Sequence, residues 1–242
     1  MGARHEATMT RLAPIGSTAT HVWIPLVVFG ALAILLETTR IDMWLADAIY
    51  RWEGGAWSLR RDPIVRDLLH GDAKRLISVV YGALVLGCAL SFVTNRLRPY
   101  RWGFVYLVVA VASSTLLVAL LKDVTRVNCP WSVDRYGGVV PYLSTWREIL
   151  LHGRSGRCFP SGHAGSGYAL IATYFFCRCF APRWRWFALG AAIVFGLTFG
   201  IAQQLRGAHY LSHDVWALAI CWFVAIAATP ILKRGRMQNH ER

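Results

Sequence analysis

The chain has 242 residues, 55% of them hydrophobic, 16% charged and 11 of them tryptophan, with a formal net charge of +13. A soluble domain carries about a quarter charged residues, so this composition excludes an ordinary water-soluble protein and points to an integral membrane one. Much of the positive charge sits in short segments beside apolar runs, where membrane anchoring accounts for it and nucleic-acid binding is not needed.

Six apolar segments are each long enough to cross a ~30 Å hydrocarbon core as a helix of about 20 residues. They run from 21 to 37, 76 to 93, 102 to 121, 164 to 180, 187 to 205 and 215 to 232. The polar stretch ahead of the first, with no small-residue cleavage site after it, makes that segment a retained anchor and not a cleaved signal. Between the first two spans, residues 40–75 are mixed in charge, with Trp44, Trp52 and Trp57 and a Gly54-Gly55 break. That pattern predicts amphipathic stretches lying at the membrane interface, where tryptophan is favoured. In the fourth span Arg178 lies near the end and is expected to snorkel. No internal repeat or separate soluble domain is visible, so residues 1–242 read as one membrane domain of all-α class, a bundle of six transmembrane helices.

Charge orients the bundle. Arg4, Arg11, Arg96, Arg98, Arg101, Arg178, Arg183, Arg185, Lys233, Arg234, Arg236 and Arg242 fall on one side, accompanied there only by Glu6 and Glu241. Short basic loops stay in the cytoplasm, which places both termini there. Segments 40–75, 122–163 and 206–214 then face outward, the periplasm of a bacterial inner membrane, and the active site with them.

The titratable chemistry lies on that outer side, in three stretches: 122–130 (KDVTRVNCP), 160–163 (PSGH) and 203–214 (QQLRGAHYLSHD). A phosphoryl group in transfer spreads negative charge over its oxygens, so fixed cations and backbone N–H groups around it lower the barrier. Gly162 permits close backbone approach, and a helix starting near Ser161 directs free N–H groups toward an anion. Histidine attacks when neutral and donates a proton when charged, so His163 and His209 are able to divide those roles.

In that order and spacing the three stretches resemble the type 2 phosphatidate phosphatase superfamily, over roughly residues 76–232. The family's signature is Lys, six residues, Arg-Pro; then Pro-Ser-Gly-His; then Ser-Arg, five residues, His, three residues, Asp. The resemblance implies a metal-independent, cofactor-free phosphatase, with His209 as nucleophile forming a phosphohistidine and His163 as general acid. It also implies that Lys122, Ser161 and Gly162 hold the phosphoryl oxygens. Three positions depart from the pattern: Cys129 stands for the first arginine, Gln203 for the second and His213 for the aspartate. Arg126 and Arg206, three or four residues from Lys122 and His209, are the substitutes that share their faces if those stretches are helical. Asp214 is one residue late, about 140° round an ideal helix from His209, and reaches it only through an irregular turn. Either Asp214 or His213 then orients His209, and a carboxylate is the better partner for an imidazolium. His209 and His213 also have the spacing of a zinc pair, but neither the glutamate of HExxH nor a third ligand is specified.

Arg154 and Arg157 precede PSGH, and His70 and Lys74 precede the second span; all are lesser candidates for headgroup contact. Cys88, Cys177, Cys179 and Cys221 fall in spans and read as packing residues. Cys129 and Cys158 share the outer loop, in a compartment that permits disulfides, and are expected to bond, the alternative being two free thiols that pack. The substrates implied by the resemblance are a phospholipid such as phosphatidate or phosphatidylglycerol phosphate, a polyprenyl diphosphate, or lipid A. Hydrolysis, lipid-to-lipid phosphotransfer and non-catalytic lipid-phosphate binding all remain open, as does the oligomeric state.

Overall fold

The computed structural model describes residues 18–60, 62–63, 73–151 and 156–234. It is helical throughout; among the described residues the one β feature is an isolated bridge between Val133 and Val140. Among the described residues nine α-helices follow in order: α1 (Thr18–Thr38), α2 (Ile41–Trp52), α3 (Ala73–Val93), α4 (Arg101–Thr125), α5 (Thr145–Leu150), α6 (Gly162–Tyr168), α7 (Ala172–Phe180), α8 (Arg185–Leu205) and α9 (Leu211–Ala227).

Among the described residues five helices are long and apolar enough to cross a membrane: α1, α3, α4, α8 and α9. Their outward faces carry large apolar side chains, such as Trp23, Val27 and Ile34 on α1 and Val79, Leu86 and Val93 on α3. A water-exposed apolar surface of that extent is not tolerated, so these faces belong against lipid. The segment expected as the fourth span differs. Its helix is cut by a 3-10 turn at Ala169–Ile171 into α6 and α7, and Ala164, Tyr168, Ala169, Ile171, Ala172 and Phe175 along it are buried. It forms the middle of the bundle and not a lipid-facing rod.

Around that broken helix the bundle closes. α6 packs against α8, α9 and α4, while α1 lies on α9 and α3 on α4. The α6–α8 contact depends on small residues, because a Cβ at Gly167 would come within 2.6 Å of the Gly196 backbone nitrogen; such residues let helix backbones approach closely in membranes. Tyr106, fully buried on α4, donates from its hydroxyl to the Ala225 carbonyl of α9 at 3.0 Å. One end of this core holds the candidate site.

Of residues 40–75, expected at the membrane interface, the structure describes α2, whose Trp44 and Trp52 are exposed. Trp57 behaves otherwise. It packs in an aromatic cluster with Tyr50 and Tyr136 and lies directly over Gly207, so it turns inward onto the protein.

Candidate active site

Three segments that are distant in sequence meet at one end of the bundle: the last turn of α4, the start of α6, and the turn between α8 and α9. The loop joining the first two is stitched at several points. Thr125 Oγ1 donates to the Phe159 carbonyl at 2.8 Å, the Cys158 N–H donates to the Val127 carbonyl at 3.0 Å, and Cys129 and Cys158 are disulfide-bonded with Cα atoms 5.3 Å apart. Closing a loop of this length restricts the unfolded chain by ~3–4 kcal/mol in the entropic account. We therefore expect no alkylation of Cys129 or Cys158 in unreduced protein by mass spectrometry, and a lowered thermal midpoint after reduction or in Cys129→Ser. Full alkylation of both without reductant would contradict the bridge.

Lys122, on the last turn of α4, donates from Nζ to the Arg157 carbonyl at 3.1 Å. Its stem crosses Gly162, where a Cβ would lie 3.1 Å from Lys122 Cε and 3.3 Å from Nζ. Glycine at 162 thus leaves room for the lysine at the start of α6. Ser161 is the residue ahead of α6, extended at φ −68° and ψ 113°, and wholly buried. Its N–H donates to the His213 carbonyl at 3.1 Å, fastening PSGH to α9. His163, the second residue of α6, lines a cavity of about 390 Å3 with Lys122 and Gly162; Ile77, Val118 and Phe199 form its apolar wall.

His209 is 5% exposed. Burial, with the charges of Lys122, His213 and His163 facing it, pushes its pKa well below the ordinary imidazole range; a backbone hydrogen bond to Cys158 pulls partly the other way. The ring is therefore neutral at pH 7. Its Nδ1 approaches His213 Nδ1 at 3.5 Å, the outer limit of a hydrogen bond. His213 is wholly buried, with the Phe159 and Tyr210 rings edge-on to it.

Asp214, the partner that carboxylate chemistry favours for His209, makes its contacts elsewhere. Its Oδ2 accepts from Gln204 Nε2 at 2.5 Å, it faces Ser161, and it packs against Gly200 on α8. The reason is where the helix starts: α9 begins at Leu211 after an extended Tyr210. His209 thus lies outside the helix, and the 140° argument does not apply to it.

Both substitute arginines also differ from expectation. Arg126 is left-handed at φ 51° and ends α4, so it leaves the face of Lys122 and is exposed. Arg206 ends α8 and donates from Nη1 to Gln203 Oε1 at 3.3 Å. The side chain at the position expected to be arginine therefore holds the neighbouring arginine, through a turn and not along a helical face. Arg157 pairs with Asp123 at 2.5 Å, both well exposed, while its carbonyl serves Lys122. His70 and Arg154 lie outside the described residues. Among the described residues no group of three or more His, Cys, Asp or Glu is placed to hold a metal, so the His209–His213 pair gains no further ligand.

Motif spacing missed Gln204, the partner of Asp214, and Asp42, which accepts the Ser212 N–H at 2.9 Å from 170 residues away. Gln204 adjoins the third motif and was open to notice as a buried-amide candidate. Nothing in the sequence signals Asp42.

Comparison with known proteins follows the same segments. A family model described as "PAP2 superfamily" matches residues 103–236. No curated protein matches the chain. A solved structure does: the first transmembrane PAP2 type phosphatidylglycerolphosphate phosphatase from Bacillus subtilis. It is 16% identical, with a TM-score of 0.56 over 88% of this chain and 96% of that one. At that identity the likeness is one of fold.

Proposed function

The chain belongs to the PAP2 superfamily, and from that premise we propose that it is a membrane phosphatase hydrolysing a lipid-linked phosphate or diphosphate through a phosphohistidine. The observation that carries this reading is the cavity of about 390 Å3 that Lys122, Gly162 and His163 border together with a largely apolar wall, with His209 beside it, near enough for the charges of Lys122 and His163 to act on its ring. A phosphate seated at Lys122, Gly162 and His163 leaves its hydrocarbon chain against Ile77, Val118 and Phe199, which suits a lipid and not a soluble ester.

In this mechanism Lys122, Arg206 and the N–H groups at the start of α6 grip the phosphoryl oxygens, whose charge grows in the transition state. His209 turns Nδ1 toward His213; in the tautomer protonated there, the lone pair of Nε2 attacks phosphorus. The P–O bond to the lipid breaks as His163 protonates the departing oxygen. Water, deprotonated by His163, then attacks the phosphohistidine; inorganic phosphate leaves and His209 returns neutral. No step needs a metal or cofactor. At Cys129, where the signature has its first arginine, the disulfide ties the Lys122 segment to PSGH, and near Gln203, where it has the second, Arg206 is the cation at hand.

Phosphatidate, phosphatidylglycerol phosphate, a polyprenyl diphosphate and lipid A are the substrate classes to test. The Bacillus subtilis fold neighbour, described as a phosphatidylglycerolphosphate phosphatase, puts that lipid first. Purified protein in detergent is expected to release inorganic phosphate from at least one of them with no acceptor lipid present. Phosphate released only with an acceptor supports the phosphotransferase reading, and binding without turnover supports a non-catalytic one. We further propose a sixth span through 164–180, cytoplasmic termini and an outward-facing site in a bacterial inner membrane; the basic short loops support that orientation.

His213 is proposed as the orienting partner of His209. His213→Ala should then lower kcat by about 10- to 100-fold, the cost of a misaimed nucleophile. Asp214→Asn retains the Gln204 contact through its amide oxygen and should cost less than about fivefold. Kinetics showing the reverse order would reassign the role to Asp214.

A further inference from the structure

Asp42 lies on α2, outside residues 103–236 of the family match and outside all three motifs. Its carboxylate is 6% exposed. Oδ1 accepts the N–H of Ser212 at 2.9 Å, and the Ser212 hydroxyl and the Leu211 backbone also bear on it. Leu211 and Ser212 open α9, where the first N–H groups have no partner within the helix. A side chain immediately ahead usually satisfies them, but Tyr210 makes no such bond. The cap comes instead from another helix, and its negative charge also suits the N-terminal end of the helix dipole.

His209 stands two residues ahead of that capped turn and His213 is its third residue. The turn closes through the His213 N–H to the Tyr210 carbonyl at 3.2 Å. Asp42, Gln204, His209 and Tyr210 together border a cavity of about 10 Å3, so the carboxylate reaches the nucleophile's own surroundings. α2 is held there firmly. Asp47 binds Arg135 through two 2.7 Å hydrogen bonds and accepts from the Tyr136 hydroxyl at 3.0 Å. Trp57, just beyond α2, covers Gly207, whose φ of +64° and close contact with the indole both favour glycine. Elsewhere on α2, Trp44 and Trp52 are 66% and 72% exposed.

We propose that Asp42 is a positioning residue for His209: its carboxylate fixes the first turn of α9 and, through that turn, the His209–His213 contact. The proposal rests on the phosphatase reading above. It makes the interfacial helix α2 a working part of the site, where the motifs alone would make it an anchor.

The test is steady-state kinetics of monodisperse protein on whichever lipid phosphate the wild type hydrolyses. Asp42→Ala is expected to lower kcat about 10- to 100-fold, as a displaced nucleophile does, with KM within about threefold because Lys122, Ser161 and Gly162 keep their grip. Asp42→Asn retains an oxygen to accept the Ser212 N–H and is expected to stay within about threefold of wild type. If Asp42→Ala does not fold, Asp42→Leu fills the same volume without an acceptor and carries the same expectation. Unchanged kcat without the acceptor, a loss expressed in KM instead of kcat, or Asp42→Asn as poor as Asp42→Ala would each overturn the proposal. A wild type inactive on every lipid phosphate defeats the phosphatase reading itself, an outcome distinct from all three.

Discussion

His209→Ala is expected to abolish phosphate release, with kcat falling on the order of 10⁴-fold or more, because the residue that forms the covalent intermediate has no replacement. Lipid binding should survive, since Lys122, Ser161 and Gly162 are untouched; KM or a direct binding constant is predicted to change by less than about tenfold. That split separates loss of chemistry from loss of structure. The same residue sets an acid limb in the pH profile. Attack requires the neutral ring, and burial with the cationic Lys122 and the two facing histidines holds the His209 pKa well below its ordinary value. Activity limited by this group is therefore retained as pH falls through 6.5 and is lost only at distinctly lower pH. A limb from His209 at its ordinary pKa would contradict the buried, neutral nucleophile.

The second large effect is expected at His163. Removing a general acid typically costs about 10²–10⁴-fold, and the size should depend on the leaving group. A lipid alkoxide is a poor leaving group and needs the proton as the P–O bond breaks. A phenolate with a pKa near ~7 does not. In His163→Ala the first step, read as kcat/KM, should thus be severely slowed on a lipid phosphate and much less affected on an aryl phosphate of that kind, while hydrolysis of the intermediate is slowed for both. An equal loss on both would mean that His163 holds the phosphoryl group and does not protonate the departing oxygen.

The sequence made the spanning helices legible because their signal is length and apolarity, which α1, α3, α4, α8 and α9 carry outright. Residues 164–180 carry the same apolarity but pass through the centre of the bundle, and hydropathy alone does not distinguish a lipid-facing rod from a buried, broken one. In the site, Lys122, PSGH and the third motif were recognised by spacing, and the structure brings those segments together. What spacing misjudged was local backbone geometry. Arg126 was expected beside Lys122 by helical arithmetic, yet α4 ends at Thr125 and the left-handed Arg126 points elsewhere. Asp214 was preferred over His213 by carboxylate chemistry, yet the extended Tyr210 takes His209 off the helix and leaves Asp214 to Gln204. Asp42 was invisible because its partner is 170 residues away, and no periodicity reports a cap supplied by another helix.

The central claim is that phosphorus becomes bonded to His209. Rapid quenching of the working enzyme under alkaline conditions, which spare a phosphoramidate, followed by peptide mass spectrometry tests it directly. The account predicts a phosphate on the peptide containing His209, present in wild type, absent in His209→Ala, and accumulated when His163→Ala slows hydrolysis of the intermediate on an aryl phosphate. Turnover with no phosphorylated histidine in a quench fast enough to sample the first cycle, or a phosphate that persists in His209→Ala, would contradict it.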